Sequence, residues 1–246
     1  MRGGWSQAER AIDLLEDGEG LPVSARRQAE ILRARHELVE GRYLRAAARL
    51  DEALGDEDEA HQLELLLDQI WASLHLQRAE EGRRLAGRAQ AVLAQRPAEW
   101  FQTRLVVLNA LLDHEELGFV ASEQAFEEAV SRADELGMKR YATEAIIWRM
   151  HRCAERGEEG ADGLARRLLE RTTAAWTTTG RALACALVAS ASQSLEEALR
   201  AECLISLPGP VHLRRNALAR LADLGAIFDP ELRRRCERLA GSLEVA

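Results

Sequence analysis

Five side chains between residues 61 and 75 could do chemistry together: His61, Glu64, Asp68, Trp71 and His75 recur at steps of three and four. That spacing puts them on one face of a helix, opposite Leu63, Leu67, Ile70 and Leu74. Further along, Arg140, Glu144, Trp148, His151 and Glu155 follow in comparable order, and Gln102, Asn109 and Asp113 lie between the two sets. Carboxylates, imidazoles and an indole in one stripe suit recognition, because tryptophan buries a large area while keeping a hydrogen-bond donor. Protonation of His75 and His151 below about pH 6.5 would place positive charge beside Asp68, Glu144 and Glu155 and alter the binding of a charged partner. The alternative is that Trp71 and Trp148 fill wedges between packed helices.

Catalytic spacings do not emerge. GEGLPV has two glycines but neither a phosphate loop nor a dinucleotide fingerprint. HEELG, from His114, lacks the second histidine of a zinc-protease helix, and there is no G-x-S-x-G elbow. His151 and Cys153 stand two apart, on different sides of a helix, with no second ligand pair. The acidic run from Asp56 to Glu59 reads as a solvated helix start. His36, His114 and His212 read as surface or capping residues. The arginine pairs Arg83/Arg84, Arg166/Arg167 and Arg233 to Arg235 have Glu80, Glu81, Glu170, Glu231 and Glu237 within helical reach, which makes a salt-bridged outer face. The expectation is a non-enzymatic chain without metal or cofactor.

Composition narrows the class. With 33 basic and 41 acidic residues, the net charge of -8 offers no overall footprint for nucleic acid or an anionic membrane. Lys139 is the only lysine. The four cysteines, Cys153, Cys185, Cys203 and Cys236, are far apart, and a chain of this size needs no disulfide staples, so a reducing cytoplasm is expected. Ala, Leu, Arg and Glu, all strong helix formers, dominate. The segment Thr172 to Leu195 is the least charged, but Arg181 and its many hydroxyls make it a buried helical stretch rather than a membrane span.

The elements that must position the stripes are therefore helices, and they repeat. In EGRYLRAAARLDEAL, Ala46, Leu50, Ala53 and Leu54 share a face, and comparable alanines stand at Ala11, Ala86, Ala125, Ala165 and Ala198, at intervals of about 33 to 40 residues. A period of this length with two amphipathic helices per unit signals an α-solenoid of stacked hairpins. The predicted map is a lone helix at 5–16, then pairs at 23–40 with 42–54, 59–77 with 79–95, and 98–117 with 121–136. The pairs continue as 139–156 with 162–178, 181–193 with 195–206, and 211–224 with 230–240, in one domain spanning 1–246. About twelve or thirteen helices and no sheet are expected, with every ladder alanine buried. Prolines 22, 97, 208, 210 and 230 fall at the boundaries, where a missing backbone donor costs least.

Gly41, Tyr43, Ala46, Ala53 and Leu54 resemble the second half of a tetratricopeptide repeat. The longer spacing, AFEEAVSRADELGMKRYATEA and ALARLADLGAIFDPELRRR are similar to the divergent repeats in the sensor region of large ATP-dependent LuxR-type, maltose-activator-like bacterial regulators, with helix, leucine-glycine turn and helix in each unit. The resemblance implies an all-α, right-handed superhelix whose first helices of each pair line a concave groove. The two polar stripes then become a groove for a protein or peptide partner or a small effector, with no direct nucleic-acid or membrane contact. A free-standing scaffold or chaperone is the alternative, and a helical enzyme a more distant one. The lone first helix reads as a second helix without its partner, as in a piece of a larger chain, with Trp5, Ala11 and Leu15 on a surface open to self-association.

Overall fold

The computed structural model describes residues 23–54, 59–172, 177–205 and 210–243. The predicted helix at 5–16, with Trp5, Ala11 and Leu15, lies outside them. The described residues form twelve helices and no strand. In chain order these are α1 (Val23–Glu40), α2 (Tyr43–Leu54), α3 (Glu59–His75), α4 (Ala79–Gln95), α5 (Glu99–Leu117) and α6 (Phe119–Glu135), followed by α7 (Lys139–Arg156), α8 (Ala161–Arg171), α9 (Thr178–Ser192), α10 (Leu195–Ile205), α11 (Val211–Phe228) and α12 (Pro230–Ser242).

Contacts divide the chain into two compact units, Met1–Leu112 and Asp113–Ala246. In the first unit α1 packs on α2, α2 on α3 and α3 on α4. In the second, α6 packs on α7, α7 on α8, α8 on α9, α9 on α10, α10 on α11 and α11 on α12, and α9 also packs directly on α11. Among these pairs, neighbours in sequence are neighbours in space, as short connections require of antiparallel helices.

Turn chemistry sets several boundaries. Pro97 and Pro210 precede helices, and Pro230 opens α12 behind Asp229, whose Oδ1 accepts the Glu231 N–H at 3.0 Å. Gly137, at φ 73°, supplies the left-handed residue that lets the Met138 N–H return to Ala133 O at 2.8 Å and close α6. The second leucine-glycine pair does something else. Gly225 lies inside α11, and a Cβ there would stand 2.6 Å from the Arg233 backbone nitrogen. Its lack of a side chain admits α12, so α11 runs on to Phe228 instead of stopping at 224. The expected helix 162–178 stops at Arg171, because Thr172 is extended and opens a run of β-branched threonines with low helix propensity.

The small-residue ladder is present in a corrected register. Ala46, Ala86, Ala165 and Ala198 are buried, but Ala125 is exposed. The fourth residue of α2, α4, α6 and α10 is Ala46, Gly82, Ser122 and Ala198, all four buried, whereas α8 and α12 have Leu164 and Arg233 there. In α6 the buried face is Ser122, Phe126, Ala129, Val130 and Ala133, which matches the 46/50/53/54 face of α2 and turns Ala125 to solvent. At Gly82 a Cβ would come within 2.7 Å of Leu112 Cδ2, so contact there leaves room for almost no side chain. The weakly charged α9 is buried nearly all round from Ala182 to Ala189, and no helix among the described residues is long and apolar enough to cross a membrane.

Candidate functional site

In the first unit the polar stripe of α3 is used internally. Arg35 of α1 donates from Nε to Asp68 at 2.7 Å and from Nη2 to Glu64 at 2.6 Å, while Arg104 of α5 pairs with the other Asp68 oxygen. Asp68 is buried, which corrects its reading as a groove residue: two guanidinium groups satisfy a carboxylate withdrawn from water. The His75 ring stacks on Tyr43 of α2 at 3.9 Å with planes 4° apart, and Trp71, half-buried, meets the same imidazole edge-on at 4.8 Å. Asn109 accepts from Arg83 Nη1 at 3.4 Å. The side chain of His61 lies outside the described set.

The second unit holds the remaining predicted residues. Asp113 is half-buried, and Arg140 and Glu144 form an ion pair at 2.8 Å on the exposed side of α7. Trp148 is 1 % exposed and meets the His114 ring edge-on at 5.8 Å, so it is a packed wedge and not a groove anchor. His151 is also buried: Asn216 Nδ2 donates to its Nδ1 at 3.2 Å, its Nε2 lies 3.4 Å from Glu155 Oε1, and its ring stands 4.9 Å from that of His212. Burial, and then the charge of Arg152, lowers its pKa to about 4, so it stays neutral well below the pH at which an exposed histidine titrates. The stripe that looked solvent-facing points inward here because α7 packs on α6, α8, α9 and α11.

The same unit assembles a buried polar cluster that sequence reasoning did not find. His114, Cys153 and Glu158 present one ligand atom each within 4.8 Å of one another. His114 is 0 % exposed, which corrects its reading as a surface or capping residue, and neither ring nitrogen has a hydrogen-bond partner. Its Nε2 lies 3.5 Å from Glu158 Oε2, which is itself without a hydrogen bond. Burial, followed by the charges of Arg149, Arg156 and Arg152, lowers the His114 pKa to about 3. Burial and the neighbouring Glu158 carboxylate push the Cys153 thiol up to about 12, so it is a thiol at neutral pH.

Arginines frame this cluster. Arg149, fully buried, lies over the rings of Phe119 and Phe126 at 4.4 and 4.2 Å and donates to Phe119 O at 2.8 Å and Glu123 Oε2 at 2.6 Å. Desolvation lowers its pKa against the pull of Glu123. Arg152 bonds Glu115 from Nε at 2.6 Å and also pairs with Glu155, while Arg156 pairs with Glu115 and comes within 3.6 Å of Glu158 Oε1. The signal for the cluster was one repeat length long: His114 and Cys153 sit on α5 and α7, and stacking brings together residues that adjacency along the chain does not. Along the chain, the histidine nearest Cys153 is His151, two positions away and on another side of the helix.

A depression of about 300 Å³ lies between α11 and α12, lined by Arg215, Leu218, Ala219, Ala222, Cys236, Glu237 and Ala240. Arg233 bonds Glu237 at 2.7 Å within α12, as the spacing predicts, whereas Arg235 bonds Glu202 of α10 at 2.6 Å and Arg167 of α8 pairs with Glu127 of α6, across helices rather than along them. Comparison with protein-family models, curated proteins and solved structures finds no match to this chain.

Proposed function

We propose that the chain is a non-enzymatic helical-repeat module of tetratricopeptide type, which holds a protein or peptide partner on the outward faces of its odd-numbered helices as part of a bacterial signalling or transcriptional regulator. The observation that carries this reading is the small buried residue at the fourth position of four of the six even helices, Ala46, Gly82, Ser122 and Ala198, joined to the packing of sequential helices within each unit. That arrangement is consistent with stacked hairpins, in which each hairpin buries a face it cannot bury alone. The odd helices α7 and α9 carry many of the buried residues of the second unit, and the exposed side chains left on the odd helices include Trp100 on α5 and Arg140, paired with Glu144, on α7. Trp100 is 43 % exposed beside Phe101, an aromatic pair of the kind that anchors interfaces.

The test has two steps. The immobilised full chain is used to capture proteins from its source cell, and a captured protein is purified and added back while amide hydrogen exchange is followed. Protection concentrated on α5 and α7 supports the reading. Protection confined to the even helices, or none at saturating partner, contradicts it.

A further inference from the structure

The His114, Cys153 and Glu158 cluster has the composition of a metal centre. We propose that these three side chains bind one zinc-class divalent cation, with a solvent molecule in the fourth position. An imidazole nitrogen, a thiolate sulfur and a carboxylate oxygen are the donors zinc takes, and the sulfur and nitrogen disfavour magnesium and calcium. The geometry is nearly in place. Tetrahedral zinc with nitrogen and oxygen ligands at about 2.0–2.2 Å and sulfur at about 2.3 Å sets ligand-to-ligand edges of roughly 3.3–3.6 Å. His114 Nε2 and Glu158 Oε2 already stand 3.5 Å apart, and no pair in the cluster exceeds 4.8 Å.

A second observation points to a ligand. The His114 ring is fully buried with both nitrogens unbonded, and Glu158 Oε2 beside it is buried and unbonded too. Each unmade hydrogen bond at a buried polar atom is costly, and a cation between Nε2 and Oε2 would satisfy both atoms at once. Charge also balances. The cation with one thiolate and one carboxylate is neutral, while Arg149, Arg152 and Arg156 are offset by Glu123, Glu115 and Glu155. The ion can arrive from the side of Glu158, whose side chain is 23 % exposed. Binding displaces the Cys153 proton to solvent, since imidazole is neutral and Glu158 is a carboxylate.

The experiment uses the full chain, reduced and stripped of metal with a chelator, titrated with Co²⁺ and then with Zn²⁺. A near-ultraviolet thiolate-to-cobalt charge-transfer band that saturates at a single equivalent, releases one proton per ion and is erased by Zn²⁺ is expected. Cys153→Ser should abolish the band, Glu158→Gln should weaken binding at least tenfold, and Cys203→Ser, at an exposed cysteine on α10, should leave both unchanged. His114→Gln is read beside Glu158→Gln, whose side chain reaches solvent, so a folding defect in the former leaves the test standing. No band in the wild-type chain, a band that survives Cys153→Ser, or one lost with Cys203→Ser would overturn the proposal.

Discussion

Asp68 of α3 and Arg35 of α1 meet at 2.7 Å across 33 residues of sequence, and the second Asp68 oxygen is held by Arg104 of α5. One carboxylate therefore ties three helices of the first unit. Breaking a buried pair by removing one partner leaves an uncompensated charge, so Asp68→Ala should cost about 3 kcal/mol. Urea melts of the two proteins check this, and a loss below about 1 kcal/mol would mean that solvent, not Asp68, balances the arginines.

The register of α6 gives a sharper contrast. Ala129 is 0 % exposed and Ala125 faces solvent. Ala129→Arg should unfold the second unit or leave the protein insoluble, because an unpaired charge enters a packed seam, whereas Ala125→Arg should shift stability by no more than about 0.5 kcal/mol. Soluble expression and thermal melts separate the two, and equal behaviour would refute the register.

The tryptophans divide in the same way. Trp148→Ala should lose about 3–5 kcal/mol through the cavity it leaves, while Trp71, half-buried over His75, should lose only about 1–2 kcal/mol. Denaturant melts decide, and similar losses for both would remove the distinction between wedge and partly open ring.

Acid should destabilise the chain through His212. Burial, and then its neighbour His151, lowers the His212 pKa to about 3, against about 6.5 in an unfolded chain. Below pH 6.5 the unfolded state binds a proton that the folded state does not, so this contribution is complete above pH 6.5 and is lost as pH falls toward 3. At pH 5 the loss should be about 1–2 kcal/mol. In chelator-treated protein, His212→Asn should show a smaller drop in urea midpoint between pH 7.5 and 5 than the wild type. An identical drop in both would assign the acid sensitivity elsewhere.

The helices were legible because their signals are local: alanine and leucine periodicity, prolines at the boundaries, and a left-handed Gly137. Where those signals are ambiguous, the boundaries moved. Gly225 has the same Leu-Gly context as Gly137 but serves a helix crossing, a fact written in Arg233 and not in its own neighbours. The polar stripes were legible as faces but not as surfaces, since periodicity groups Trp148 and His151 without saying what packs over them. The His114, Cys153 and Glu158 cluster depends on contacts about 40 residues apart, and in a single chain without a fixed repeat length only the fold brings it together. His114 illustrates this: in HEELG it looks like half of a motif, and in three dimensions it has a sulfur and a carboxylate beside it.

Binding of a partner to the exposed side chains of the odd helices is measured by calorimetric titration of a purified captured protein into the wild-type chain, Trp100→Ala and Arg140→Glu. Saturable binding to the wild type is predicted, with at least a tenfold loss, about 1.4 kcal/mol, in one or both variants and melting temperatures close to the wild-type value. Absence of saturable binding, or binding equally tight in all three proteins, would show that these faces hold no partner.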